Sequence, residues 1–355
     1  MRMTINYNMM VSRFFLLTLI FLASCTVEDM DNEVVIFTSR QPQLIEDLLT
    51  KFTAETGIKV TVLSGNAQQL MERIVIEGSS TEADILMTVD AGVLWQAAMN
   101  NIFQPVESAI LDSRIPMHLK DENNLWFGFS KRARTIVVNK DIFIEGSSSP
   151  SLTYEDLAAS LFDWEFPGLC LRTSKKVYNQ SLIASMIDSL GIEETTEIVR
   201  GWVKNLQGRQ VYTSDTNVLK AVNSGACGMT IVNTYYLARL VEKGEAENLR
   251  LLWANQYDRG VHVNISGAGL IKWSKNQTSA IKLLEWLSSE YAQNLYAREN
   301  MEYPVVPGVD IHPILQEWGN FKEDLIQVDK LGLLQEQAVF LSLIHISEPT
   351  RPLGI

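Results

Sequence analysis

Cysteine, histidine and basic residues are scarce in this chain of 355 residues. It contains 3 cysteines and 4 histidines, and 42 acidic residues outnumber 30 basic ones, which gives a formal net charge of −12. Three of the histidines, His118, His262 and His312, stand in separate contexts, so a clustered Cys/His metal box is excluded. The acidic balance argues against nucleic acid and against an anionic membrane face as partners.

The common signatures of catalysis are also missing. The chain has no Gly-rich phosphate loop of either common spacing, no nucleophile elbow and no His-Glu-x-x-His. Hydrolytic or redox chemistry is therefore weakly supported, and we predict a binding protein rather than an enzyme.

An apolar stretch near the N-terminus has the layout of a targeting segment. Arg2 and Arg13 supply positive charge ahead of residues 14–22, which are too short to cross a membrane comfortably. The run ends in Leu-Ala-Ser-Cys, which resembles a bacterial lipoprotein cleavage box with Cys25 as the lipidated residue. We predict that residues 1–25 are a lipoprotein signal peptide and that the mature chain is anchored in the periplasm or at the cell surface. The alternative is an ordinary secretory signal cut elsewhere, with Cys25 incidental.

The last residues break the preceding pattern. Residues 343–352 read Leu-Ile-His-Ile-Ser-Glu-Pro-Thr-Arg-Pro, which looks like the translation of a sequencing adapter. We interpret residues 342–355 as a non-native tail and expect them to be disordered.

Strand-like and helix-like segments alternate along the rest of the chain, and its length suggests two domains. Such alternation is typical of an α/β fold, in which a parallel sheet carries helices on both faces. The glycines of residues 262–270 suit a strand that bends between lobes. Predicted strands are 34–37, 58–62, 83–89, 135–138, 169–172, 229–232, 249–254 and 262–270; predicted helices are 43–56, 70–77, 93–99, 154–162, 180–190, 193–206, 218–223, 280–288 and 290–300.

Two cysteines remain beyond the N-terminal segment. Cys170 lies in one predicted strand, and Cys227 directly precedes another. Neighbouring strands of one sheet would bring them together, and export permits a disulfide. A Cys170–Cys227 bridge and two inert buried thiols both stay open.

Two adjacent tyrosines follow the predicted strand 229–232. Apolar residues recur at helical spacing behind them, so a helix begins at Tyr235 and Tyr236, with Asn233 or Thr234 as its N-cap. This is the carboxyl edge of the sheet, where open α/β sheets bind ligands. The alternative is that both tyrosines are partly buried packing residues.

Six segments carry a family resemblance. They are TVDAG at 88–92, WFGFSKRAR at 126–134, VYNQSL at 177–182, NTYY at 233–236, HVNISGAG at 262–269 and YPV at 303–305. In this order they resemble the ferric-iron-binding periplasmic proteins of ABC importers, in particular the cyanobacterial iron-deficiency-induced branch. The similarity runs from residue 34 to about residue 331.

The resemblance implies the two-lobed type II periplasmic-binding-protein fold, an α/β architecture of hinged parallel and mixed sheets with helices on both faces. We expect a first lobe of residues 33–132 plus 263–310 and a second lobe of 133–262 plus part of 311–341. The family closes around one ferric ion and delivers it to an inner-membrane ABC permease. That permease is therefore the expected partner of a monomeric, lipid-anchored chain.

The resemblance also implies a ligand set, because three second-lobe tyrosines of the cyanobacterial branch match Tyr178, Tyr235 and Tyr236. Fe³⁺ is a hard cation that favours anionic oxygen over nitrogen or sulfur. A phenol has a pKa of roughly 10 in water, and a bound cation drives off its proton. Three phenolates would neutralise the ion, and binding would weaken as the pH falls.

The first lobe departs from the family, because Gln41 and Pro42 replace its usual His-Tyr pair and neither can be an anionic ligand. This lobe could close instead on water or on a synergistic anion such as carbonate. The candidate contacts are Arg40, Gln41, Asp90, Arg132 and Arg134. The arginines could equally form ordinary charge pairs, and Asp90 could cap the helix that follows it. We expect iron to be held mainly by one lobe.

Loss of the usual first-lobe ligands also supports a second hypothesis. In it, the same fold and importer serve a polyamine, thiamine, phosphonate or other oxyanion. A metal-dependent enzyme or a purely structural lipoprotein is a third possibility.

Overall fold

The computed structural model describes residues 32–142, 152–159, 168–328 and 330–345. The predicted signal peptide, with Cys25, and residues 346–355 of the predicted tail lie outside these ranges. Among the described residues, no helix combines the length and the apolar character needed to cross a bilayer.

The described strands form one mixed sheet. Its order is β2-β1-β3-β9-β4-β7-β5-β6, with β8 paired to β4 off this path. Strands β1–β3 and β5–β7 pair in parallel, whereas β4 and β9 run antiparallel to their neighbours. The strands are β1 (Glu33–Thr38), β2 (Lys59–Ser64), β3 (Ile85–Thr88), β4 (Phe127–Asn139), β5 (Leu169–Arg172), β6 (Leu206–Tyr212), β7 (Met229–Asn233), β8 (Leu249–Leu252) and β9 (Val263–Leu270).

Helices follow most of the strands, as the alternating pattern predicted. They are α1 (Glu46–Thr56), α2 (Ala67–Glu77), α3 (Ala91–Met99), α4 (Ala109–Arg114), α5 (Val177–Leu190), α6 (Ile192–Lys204), α7 (Asp215–Asn223), α8 (Thr234–Glu242), α9 (Gln277–Leu287), α10 (Glu290–Asn300), α11 (Pro313–Glu317), α12 (Lys330–Leu333) and α13 (Gln335–His345). The expected α/β class is confirmed.

Strand β4 connects the two halves of the sheet. Its first part pairs with β9 as far as Ala133, and its second part pairs with β7 from Arg134 onward. The prediction recognised only residues 135–138, because Lys131, Arg132 and Arg134 interrupt the apolar pattern. Those charges are tolerated in the strand because buried polar partners surround them.

The glycines of β9 lie against the backbone of the neighbouring chain segment. This strand pairs with β3 and with the first part of β4, so β4 rather than β9 passes from one half of the sheet to the other. A Cβ on Gly267 would lie 2.5 Å from the carbonyl oxygen of Phe127, and one on Gly269 would lie 2.5 Å from that of Leu125. These glycines permit close backbone packing, and the bend between lobes stays a prediction.

Three other expectations change. Strand β6 was not predicted, because its sequence is polar and contains Gly208, and it needs no apolar alternation at the end of the sheet order. The expected helix 154–162 is only a 3₁₀ turn at Asp156–Ala158, and residues 160–162 lie outside the described ranges. Residues 342–345 continue α13, so the expected disorder is wrong for these four positions.

A disulfide joins Cys170 in β5 to Cys227, which precedes β7. Their Cα atoms are 5.9 Å apart. The two strands are parallel neighbours, with Cys170 aligned to Thr230. The bridge therefore ties together two strands whose carboxyl ends lead into α5 and α8.

Candidate metal site

The three predicted tyrosines lie together at the carboxyl ends of β5 and β7. Tyr178 is in the first turn of α5, which begins three residues earlier than predicted, and Tyr235 and Tyr236 are in the first turn of α8. The ring centroids of Tyr235 and Tyr236 are 4.4 Å apart. The hydroxyls of Tyr178 and Tyr235 are close enough to interact electrostatically. Parallel pairing of β5 and β7 explains this, because it brings both helix starts to one edge of the sheet.

A cleft of about 780 Å³ opens beside these phenols. Tyr178 and Tyr236 line it from one side, and Gln41 and Asp90 line it from the other. Tyr235 is more deeply placed, with 6% of its surface exposed. The helix dipoles at the starts of α5 and α8 favour negative charge at this edge.

Burial raises the pKa of Tyr178 and raises that of Tyr235 well above its usual value, while the Arg132 guanidinium lowers both. These two phenols are therefore protonated at neutral pH in the protein alone. A tightly bound cation would have to displace their protons. Among the described residues, no group of three or more His, Cys, Asp and Glu side chains is arranged to hold a metal. The phenols form the oxygen-rich group that suits a hard trivalent ion.

Two of the candidate arginines are engaged by buried partners. Arg40 donates to Glu302 and to Ser266, each at 2.7 Å. Arg134 donates to Asp215 at 3.0 Å and to Asn179 at 2.6 Å. The alternative of charge pairs therefore fits Arg40 and Arg134, but the pairs are buried rather than at the surface.

Arg132 faces the phenols more directly. Its guanidinium carbon is 5.4 Å from the centroid of the Tyr178 ring. It also donates to Ser266 at 3.1 Å and to the Val89 carbonyl. Arg132 therefore remains a candidate for contact with an anion near Tyr178.

Asp90 is fully buried and caps α3, since its Oδ1 accepts from the Val93 amide at 3.2 Å. Its Oδ2 accepts from Ser181 at 2.6 Å and from Asn264 at 2.7 Å. Burial raises the pKa of this carboxyl. Asp90 therefore fits the role of a helix cap better than that of a metal ligand. Gln41 is exposed, and its amide oxygen accepts from Gln43 at 3.0 Å.

Three charged residues near the phenols were missed by sequence reasoning. One is Arg239 of α8, whose guanidinium carbon lies 5.0 Å from the centroid of the Tyr235 ring. Arg172 ends β5 and lines the cleft, and Asp215 begins α7 with no exposed surface. One signal was available, because Arg172 is a charge at the carboxyl end of an otherwise apolar strand. Asp215 carried no such signal, because acidic residues are common at helix starts.

Comparison with known proteins assigns the class. Residues 47–323 match the family of bacterial extracellular solute-binding proteins, and the chain belongs to that family. It is 42% identical over 310 residues to iron uptake protein A1 of Synechocystis, covering 85% of this chain and 83% of the relative.

Solved structures resemble it as well. The Trichodesmium protein IdiA (FutA), in complex with iron and citrate ligands, is 39% identical with a TM-score of 0.80, over 88% of this chain and 99% of that one. Apo ferric ion-binding protein A of Pasteurella haemolytica is 35% identical with a TM-score of 0.81, over 90% and 100%. These likenesses confirm the predicted family resemblance and the two-lobed fold.

Proposed function

We propose that this chain is the extracytoplasmic receptor of an ABC importer and that it binds ferric iron through the phenolate oxygens of Tyr178, Tyr235 and Tyr236. The clustering of these phenols beside the cleft carries the proposal. The names of its relatives, which describe iron uptake and ferric-ion binding, support it. Three anionic oxygens match the charge and hardness of Fe³⁺.

The predicted lobes form part of the proposal. The change of partner along β4 at Ala133 and Arg134 supports a boundary near residue 133, with residues 33–132 and 263–310 on one side. The hydrogen bond from Ser181 to Asp90 would then join the lobes beside the cleft. Helix α12, within residues 311–341, would touch both lobes, since Gly332 packs on Trp95 of α3 and Lys330 lies 3.3 Å from Asp188 of α5.

The proposal includes a partner and a location. An inner-membrane permease would receive the iron from a monomeric receptor in the periplasm, held to a membrane by a lipid on Cys25. Exposed Gln41 at the cleft supports an incomplete first-lobe ligand set, with water or an anion such as carbonate filling the coordination shell. Arg132, whose guanidinium carbon is 5.4 Å from the centroid of the Tyr178 ring, is a candidate contact for that anion.

Metal analysis tests the proposal. Purified protein incubated with ferric citrate and desalted is expected to retain about one iron per chain and to show a visible tyrosinate-to-iron charge-transfer band. Retention of no iron, and no band, would contradict it.

Gln41 also favours a second candidate, a different small solute in the same cleft, because its amide suits a neutral or anionic organic group. A thermal-shift series with a polyamine, thiamine, a phosphonate and ferric citrate separates the two. Stabilisation by an organic solute and not by ferric citrate would favour this second function.

A further inference from the structure

We propose that Arg172 positions the Tyr236 phenol for metal binding and that Asp215 holds the Arg172 guanidinium in place. This inference rests on the proposed iron site. It adds a positioning residue that reaches the metal only through a tyrosine.

Arg172 occupies the point where the tyrosine-bearing elements meet. It is the last residue of β5, and the loop after it leads into α5 and Tyr178. The parallel neighbour β7 ends beside it and leads into Tyr235 and Tyr236. The Arg172 side chain is 9% exposed, so this charge lies in the wall of the cleft rather than in solvent.

Its guanidinium contacts three groups at once. It forms an ion pair with Oδ2 of Asp215, and its charge interacts with the hydroxyl of Tyr236, which lines the same cleft. Its central carbon lies 5.6 Å from the centroid of the Tyr178 ring. A guanidinium only donates hydrogen bonds, so the Tyr236 oxygen would be the acceptor in any bond between the two. That leaves the oxygen a further lone pair for a metal in the cleft.

The ion pair with Asp215 does not by itself explain why the charge of Arg172 is buried here. The other carboxylate oxygen, Oδ1, already lies 3.0 Å from the Arg134 guanidinium. One buried carboxylate therefore serves two buried cations, and burying the second is costly unless it meets another electron-rich group. The Tyr236 hydroxyl and the Tyr178 ring are the groups it meets. The planar fork of arginine can bridge Asp215 and Tyr236 together, whereas the single ammonium of lysine cannot match both directions.

Substitution of Arg172 tests the positioning role. Arg172→Met removes the charge and the donors, and Arg172→Lys keeps the charge that pairs with Asp215 but loses the fork. The control is Arg200→Met on α6, because that arginine is 54% exposed and pairs with Glu197 at the surface. Each variant is checked for folding by circular dichroism. Ferric binding is then followed by the charge-transfer band and by competition with a chelator.

The expected result is a loss of ferric affinity of about 10–100-fold in Arg172→Met, as is common for groups that orient metal ligands. We also expect a shifted charge-transfer band, partial recovery in Arg172→Lys, and no change in Arg200→Met. Wild-type affinity and an unshifted band in a folded Arg172→Met variant would overturn the inference. If that variant does not fold, the same result in Arg172→Lys would overturn it. If the wild-type protein itself retains no iron, the proposed function is wrong. That outcome is distinct from failure of the positioning role of Arg172.

Discussion

Tyr235→Phe is the sharpest test of the phenolate site, because the chain contains a matched control. Tyr235 and Tyr303 are each 6% exposed, and they belong to one apolar cluster with Met301 and Leu315. The hydroxyl of Tyr235 contacts Tyr178 and accepts from Asn233 at 3.4 Å. The buried Tyr303 hydroxyl has no hydrogen-bond partner. The same atom can thus be removed from two equally buried rings, only one of which lies in the site.

The expected magnitudes separate folding from binding. Loss of the Tyr235 hydroxyl removes a weak hydrogen-bond network, so the free energy of unfolding should fall by only about 1 kcal/mol. Tyr303→Phe removes a buried hydroxyl that has no hydrogen-bond partner, so it should leave the free energy of unfolding unchanged or raise it by about 1 kcal/mol. Groups that merely orient metal ligands affect affinity by about 10–100-fold. Loss of a ligand itself should therefore weaken ferric binding by at least about 100-fold, or about 2.7 kcal/mol.

The assay is a ferric titration read at the charge-transfer band, with chelator competition for affinity and urea unfolding for stability. We expect Tyr235→Phe to lose most of the band while staying folded. Tyr303→Phe should retain both the band and the affinity. Equal iron binding by the two variants would refute the assignment of Tyr235 as a ligand.

Two further predictions concern stability. The Cys170–Cys227 bridge spans a sequence separation of 57 residues, so reduction or a double Cys→Ala change should cost about 4 kcal/mol by chain entropy, and an unchanged urea midpoint with reductant would argue against this. Burial raises the pKa of Asp324 to about 6, so its ionisation makes folding less favourable as the pH rises from about 4 to about 6. Asp324→Asn removes that cost and should gain stability relative to wild type across this window, as measured by urea unfolding at several pH values. A difference between the two proteins that is independent of pH would contradict the assignment.

Local patterns predicted much of the fold. Strand β5 and helix α10 begin and end where expected, because apolar runs and caps act over a few residues. The placement of Tyr235 at a helix start after a buried strand was equally accessible. The polar strand β6 and the charged middle of β4 could not be predicted from local patterns, because their stability depends on neighbours distant in the chain. The role of Gly267 depends in the same way on the approach of Phe127, which no local pattern records.

The amino-acid sequence by itself determined the α/β class, the family resemblance and the three tyrosines of the proposed site, because strand, helix and motif signals are local. Only the tertiary structure decided which charges meet. Arg40 pairs with Glu302 across 262 residues, and Arg172 and Arg134 share Asp215. The energy of a buried charge depends on what lies within a few ångströms, and chain folding alone brings those groups together.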